Sequence, residues 1–318
     1  MKTAQCEIGA FVGNPNQRPP NAKEIRAFEK LTNRHLHSLL FFWAWADGNL
    51  PLADLKQIRY HDGYDTRISL HITWEPWQRQ GFTDSSYSLS SIIQGQHDAY
   101  ITQFACDCRD WKDPIRLRFA HEMIHFNNPE TTGWYPWQDK PEEYVQAWRH
   151  IHRIFKTKNA QNVEFVWAPM NYPAWFEVLK NYYPGKDYVD WLAMDGYNWG
   201  EDGNPGWPYD QNFNDLFYPL YHAFVDNPDV FGEKRIMVSE IATPKDNQFG
   251  GNKSIWIIDM FKCLKNEYSK VEAFYWFNSN KEKDWRVNSS PLSLSAFKQS
   301  IRDPYFTSHP VRAKKRGV

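Results

Sequence analysis

Arg116-Leu-Arg-Phe-Ala-His-Glu122 and Arg235-Ile-Met-Val-Ser-Glu240 are built alike: each is an extended, largely apolar run that closes on a glutamate where a loop begins. In the first, Arg116 and Arg118 alternate with Leu117 and Phe119, the period of a strand rather than of a helix. Counting these two as residues 115–120 and 235–239, strand-like runs recur at 7–12, 38–43, 67–73, 163–168, 191–195 and 271–276. Each is followed by a stretch with apolar residues three and four apart, at 22–32, 52–60, 99–111, 142–156, 174–183, 214–225, 255–268 and 292–301. Ser289, Ser290 and Pro291 supply a start signal for the last of them. Strand and helix alternating eight times predict parallel strands with helical crossovers, closed as a single-domain (β/α)8 TIM barrel of the α/β class. One barrel accounts for all 318 residues, with Arg312-Ala-Lys-Lys-Arg-Gly-Val318 expected as a solvated, flexible tail.

A barrel of this kind carries its chemistry where its strands end. Just past the expected strands stand Trp43, Trp45, Trp74, Glu75, His121, Glu122, Trp167, Asp195, Tyr197, Trp199, Glu240, Trp276 and Asn278. Two acids on separate strands among aromatic rings are what glycosidic bond cleavage requires, one to protonate the leaving oxygen and one to attack or to activate water. Glu122 is the candidate general acid/base and Glu240 the candidate nucleophile, with Asp195 and Glu75 as polar supports. The plainer alternatives are an arginine-paired structural glutamate for Glu122 and a hydrogen-bonded rim acid for Glu240. The segments 127–138 and 200–210, rich in Gly, Pro, Asn and Trp, read as substrate-binding loops.

Lys and Arg total 37 against 38 Asp and Glu, which leaves no excess charge for phosphate backbones or anionic lipid and excludes nucleic acid and membrane surfaces as expected partners. Aromatic residues make up 17% of the chain, with 16 Trp, and flat indole faces suit the C–H faces of sugar rings. The competing explanation is that these rings only pack helices on strands. Cys6, Cys106, Cys108 and Cys263 are too few and too scattered for a disulfide scaffold or a Cys-x-x-Cys zinc site, and are expected free. No run approaches the roughly 18 apolar residues of a membrane span. The N-terminus lacks a secretory signal pattern, which leaves open a cytoplasmic protein or a secreted one after signal removal.

His121-Glu-Met-Ile-His125 matches the H-E-x-x-H pattern of zinc hydrolases, for which Glu142 or Glu143 would have to supply a third ligand. That motif requires a helix, whereas the residues before His121 alternate as a strand and Asn127-Asn-Pro129 ends any helix at once. The expectation is therefore a monomer with no metal or organic cofactor, acting on a polysaccharide or oligosaccharide.

Four segments carry a resemblance to family 26 glycoside hydrolases: Arg118-Phe-Ala-His-Glu-Met123, Gly133-Trp-Tyr-Pro-Trp137, Tyr188-Val-Asp-Trp-Leu-Ala-Met-Asp-Gly-Tyr-Asn-Trp199 and Ile236-Met-Val-Ser-Glu-Ile241. The resemblance implies a retaining endo-β-glycanase with Glu122 as acid/base after strand four and Glu240 as nucleophile after strand seven. It also implies that His121 touches the sugar beside the scissile bond, that Tyr197 hydrogen-bonds the nucleophile and that Trp276 floors the same subsite. Trp134, Trp137 and Trp199 are further substrate-binding candidates, loop packing being the alternative for the first two. Mannanases, mixed-linkage glucanases and β-1,3-xylanases share this family. Gly133–Trp137 is more similar to the glucanase members, which favours mixed-linkage β-1,3-1,4-glucan over mannan. A non-catalytic carbohydrate-binding barrel is the alternative of another class. The chain departs from the family at Ile124, where Asn is usual, and residues 124–132 read as an insertion beside the acid/base, placed to alter which leaving sugars fit.

Overall fold

Eight parallel strands hydrogen-bond in a closed ring: β1 (Cys6–Val12), β2 (Ser38–Ala44), β3 (Ser69–Glu75), β4 (Ile115–Phe119), β5 (Val163–Trp167), β6 (Trp191–Tyr197), β7 (Arg235–Ala242) and β8 (Val271–Asn278), with β8 pairing back onto β1. The structure is a computed structural model that describes residues 5–13, 19–61, 64–124, 133–170, 176–200, 210–244, 252–308 and 312–313. Around the ring lie α1 (Ala22–Thr32), α2 (Leu52–Arg59), α3 (Asp98–Trp111), α4 (Pro141–Thr157), α5 (Phe176–Tyr182), α6 (Phe213–Val225), α7 (Lys253–Asn266) and α8 (Pro291–Ser300). The chain is thus a (β/α)8 TIM barrel, and all eight expected strands and helices are present.

Local chemistry starts the helices where the sequence marks them. Asn21 with Glu24 and Asn212 with Asp215 close reciprocal capping boxes on α1 and α6, and Ser290 caps α8 ahead of Pro291. The four cysteines are free. Arg312–Ala313, the start of the expected tail, pairs antiparallel with Tyr64–Asp65, so that part of the tail is structured.

Strand parity decides which residues face the barrel axis. Tyr275 points inward, where its hydroxyl donates to Ser38 Oγ at 3.0 Å and accepts from Arg116 Nη1 at 2.9 Å. Its ring crosses the space in front of Gly9, whose missing Cβ would otherwise collide with it. The alternate residues turn outward into the helical layer. Trp74 stacks on Phe104 of α3, and Trp167 packs on Tyr183, Phe224 and Phe231. Trp45, Trp74, Trp137, Trp148, Trp167, Trp191, Trp276 and Trp285 are all fully buried. Most of the tryptophan excess is therefore consumed by packing, and composition alone overstated the number of rings free to meet a ligand.

Candidate active site

Arg118 organises the C-terminal mouth. Its guanidinium is wholly buried at the level of Thr73 on β3, and its donors fan out to three strands. Nε and Nη2 reach Thr73 Oγ1 at 3.0 and 2.5 Å, Nη1 reaches Asp195 Oδ2 at 2.7 Å on β6, and Nη2 also reaches Glu240 Oε1 at 2.5 Å on β7. The Tyr197 hydroxyl donates to the other oxygen of Glu240, so both oxygens of that carboxyl are held.

A bulge makes this possible. Along β6 and β7, Met194 pairs with Val238, yet Asp195 pairs with Glu240, which leaves Ser239 as an extra residue. Strict alternation from Met237 would turn Ser239 inward. The extra residue instead gives Glu240 the face shared with Asp195, the re-aiming that bulges commonly perform beside active sites.

Glu122 reaches the mouth by a different device. Ala120 (φ 44°) and Glu122 (φ 51°) both take left-handed backbone conformations, each costing about 1–3 kcal/mol outside glycine. Neighbours over-determine them. The Ala120 N–H donates to Trp74 O and the Glu122 N–H to Ala168 O, Trp137 Nε1 donates to His121 O at 2.7 Å, and Gln138 Nε2 donates to Glu122 O at 2.7 Å. Gln138 in turn accepts from the backbone N–H groups of Trp134 and Tyr135, which ties the Gly133–Trp137 segment to the acid.

Glu122 is only partly exposed, and its carboxyl is surrounded closely enough that burial, then the charges of Asp195 and Glu240, push it well above the usual carboxylate range. Burial also raises Asp195, opposed by Arg118 and reinforced by Glu240. Glu75, closing β3, is pushed up to about 7 by burial, with Arg79, Trp77 and Arg118 opposing. His121 is held neutral by burial and the Arg118 charge; its Nε2 lies 3.3 Å from the Tyr135 hydroxyl and its ring packs on Phe42 and Tyr135. Glu122, Glu240, Asp195 and Glu75 thus share one electrostatic environment around a single arginine.

The expected aromatic contacts divide. Tyr197 and Trp199 line the mouth with Trp285, at ring separations of 5.2 Å from Trp285 in each case. Trp134 is 48% exposed beside the Glu122 turn. Trp137 is buried, stacked on Tyr135 and edge-on to Trp77, and serves the loop rather than offering a face. Trp276 does not floor the mouth. Its parity matches Phe274, not Tyr275, so its indole is fully buried against Phe297 of α8, and Phe277 takes the inward position beside Phe11, Phe42 and Tyr197. Residues 121–124 are non-helical; His125, the 125–132 part of the expected insertion and the 201–209 part of the β6 loop lie outside the described residues.

Sequence reading missed Arg118 and Gln138 as site residues. The alternation of two arginines through a strand whose other residues are apolar was the available signal for Arg118, because a charge on an inward face must be paired. Gln138 had none, since its role is to bond backbone.

Fold and site together define a (β/α)8 barrel whose mouth gathers four carboxyls around one arginine. The model of Glycosyl hydrolase family 26 matches residues 79–236. Endoglucanase H of Acetivibrio thermocellus is 34% identical over 306 residues, which are 93% of this chain and 30% of that protein, so the chain spans under a third of the relative's length. A GH26 β-mannanase from Bacteroides ovatus superposes with TM-score 0.67 at 15% identity, covering 96% of this chain and 91% of that one. An endo-β-1,4-mannanase from Cellulomonas fimi gives TM-score 0.67 at 17% identity, covering 96% and 72%. The chain belongs to glycosyl hydrolase family 26.

Proposed function

We propose that the chain is a retaining endo-β-glycanase, with mixed-linkage β-1,3-1,4-glucan as its favoured substrate. The observation that carries this is the unequal treatment of two acids in one mouth. Both oxygens of Glu240 accept, from Arg118 and from Tyr197, as suits a nucleophile, while burial, then the charges of Asp195 and Glu240, raise Glu122 well above the usual carboxylate range, as suits an acid. Glu240 attacks the anomeric carbon as Glu122 protonates the departing oxygen. Glu122, now a base, then takes a proton from the water that releases the sugar from Glu240. His121 and Tyr197 border the reacting sugar, and Trp134 and Trp199 offer rings to its neighbours. The endoglucanase name of the relative at 34% identity supports a glucan over a mannan.

Reducing-end release from lichenan, cellulose, mannan and β-1,3-xylan, with NMR of the first anomer formed, tests the reading. Lichenan cleaved fastest with the β configuration retained is the expected result. Faster mannan cleavage makes the chain a β-mannanase, and an inverted product removes Glu240 as nucleophile. Glycan retention on an affinity gel without any product leaves a carbohydrate-binding barrel.

A further inference from the structure

Glu75 is the acid of the mouth that neither takes a step in the mechanism nor pairs with Arg118. It closes β3 on the inward face: Thr73, two residues earlier, receives Arg118, while Trp74 between them turns out onto α3. Glu75 is 4% exposed. Among the described residues no ion pair reaches it, because the nearby cations are committed elsewhere. Arg118 is spent on Thr73, Asp195 and Glu240, and Arg79 forks onto Asp47 at 2.8 and 2.5 Å. The one protein donor to Glu75 is the Trp77 indole, which acts on the Glu75 carboxyl although its buried N–H makes no well-formed hydrogen bond among the described residues.

A buried carboxyl with no ion pair and only one poorly aligned donor is costly unless something that arrives later completes it. Its surroundings specify the newcomer. Half-buried Trp77 and Tyr135 form an aromatic wall, their ring centroids 5.2 Å apart and backed by the buried Trp137, and Glu75 shares its electrostatic environment with Glu122, Glu240 and Tyr135. A cation would find the arginines already present, and an anion would meet four carboxyls. A neutral, hydroxyl-bearing ring fits both the aromatic wall and an acid able to accept and, when protonated, donate.

We infer that Glu75 is a substrate-contact residue, hydrogen-bonding a ring hydroxyl of the sugar held in the mouth and so helping to choose which sugar is cleaved. This rests on the glycanase reading above. The test is a cycle between protein and substrate: a mixed-linkage β-glucan oligosaccharide and its monodeoxy analogues, against the wild type, Glu75→Ala and Glu75→Gln. Removing the contacted hydroxyl lowers wild-type kcat/KM about 10- to 100-fold, and Glu75→Ala loses the same factor on the parent sugar but nothing further on that one analogue. Losses that multiply for every analogue overturn the inference, as does a failure of both variants to reach the wild-type circular dichroism spectrum and melting behaviour. A wild type that cleaves none of the sugars refutes the glycanase reading instead, and the same cycle run on dissociation constants still decides the contact.

Discussion

The two ends of the barrel each bury an arginine from β4, and they treat it oppositely. At the N-terminal end, Arg116 meets Glu7 at 2.5 Å, lies 3.9 Å from Glu164 and rests on Trp191, while Arg235 pairs with Glu164 and covers the same indole. Glu7 and Glu164 each have an arginine in contact there, and both keep contact with water, Glu7 at 24% and Glu164 at 30% side-chain exposure. At the C-terminal end, Arg118 faces Asp195 and Glu240 directly and Glu122 and Glu75 nearby, with Asp195, Glu240 and Glu75 out of water and Glu122 only partly exposed. Two residues of sequence separate a structural plug from a charge-frustrated mouth. Paired charge stabilises; several acids crowded round one arginine raise a carboxyl above its ordinary range, the direction that acid catalysis needs.

The sharpest way to test the contrast is to remove what each arginine holds. Glu240→Gln keeps the shape of the mouth but removes the oxygen proposed to attack, and kcat is expected to fall by about 10^4-fold or more. Glu122→Ala follows at about 10^2- to 10^4-fold on polysaccharide, with much less loss on an aryl glycoside whose leaving group needs little protonation. Next come the arginines themselves. Arg118→Leu strands two buried carboxyls, so chemical denaturation is expected to show about 3–5 kcal/mol lost together with activity. Arg116→Leu strands acids that water can reach; about 1.5–3 kcal/mol is lost, and kcat/KM stays at the wild-type value. Equal effects of the two on kcat would erase the distinction between the ends.

A gentler probe is pH. Glu75 moves from an ordinary 4.5 to about 7 in the fold, so between those values the folded chain binds more protons than the unfolded one. Its stabilising contribution is complete below about 4.5 and is lost as pH rises to about 7, a change of about 3 kcal/mol. Melting temperatures measured across that window are expected to slope downward in the wild type and more shallowly in Glu75→Gln. The raised carboxyls of Glu122 and Asp195 act in the same direction. Smallest in its effect on catalysis is Trp276→Ala: a cavity under α8 costs about 3–5 kcal/mol, while KM on glucan stays unchanged because the indole does not face the mouth.

Much of this architecture was readable beforehand, and the misses have physical causes. The helix expected at 22–32 matches α1 residue for residue, because its apolar period is a local signal. The strands expected to end at 195 and 239 run on to Tyr197 and Ala242, since their pairing continues through polar residues that break the apolar pattern. Tyr197 and Glu240 were legible as neighbours by resemblance, and the hydroxyl does donate to that carboxyl. Trp276 was misread because a strand end in sequence does not state which face its last residues present.

Alternation, capping and spacing along the chain were enough to determine eight strands, eight helices and two candidate glutamates, since each of those depends on residues a few positions apart. Only the folded barrel could decide that Ser239 is a bulge that turns Glu240 inward, that Arg118 gathers acids from strands up to 122 positions away, and that Trp276 faces the helices. Those outcomes depend on register and on through-space electrostatics between distant segments, which exist once the ring of strands has closed.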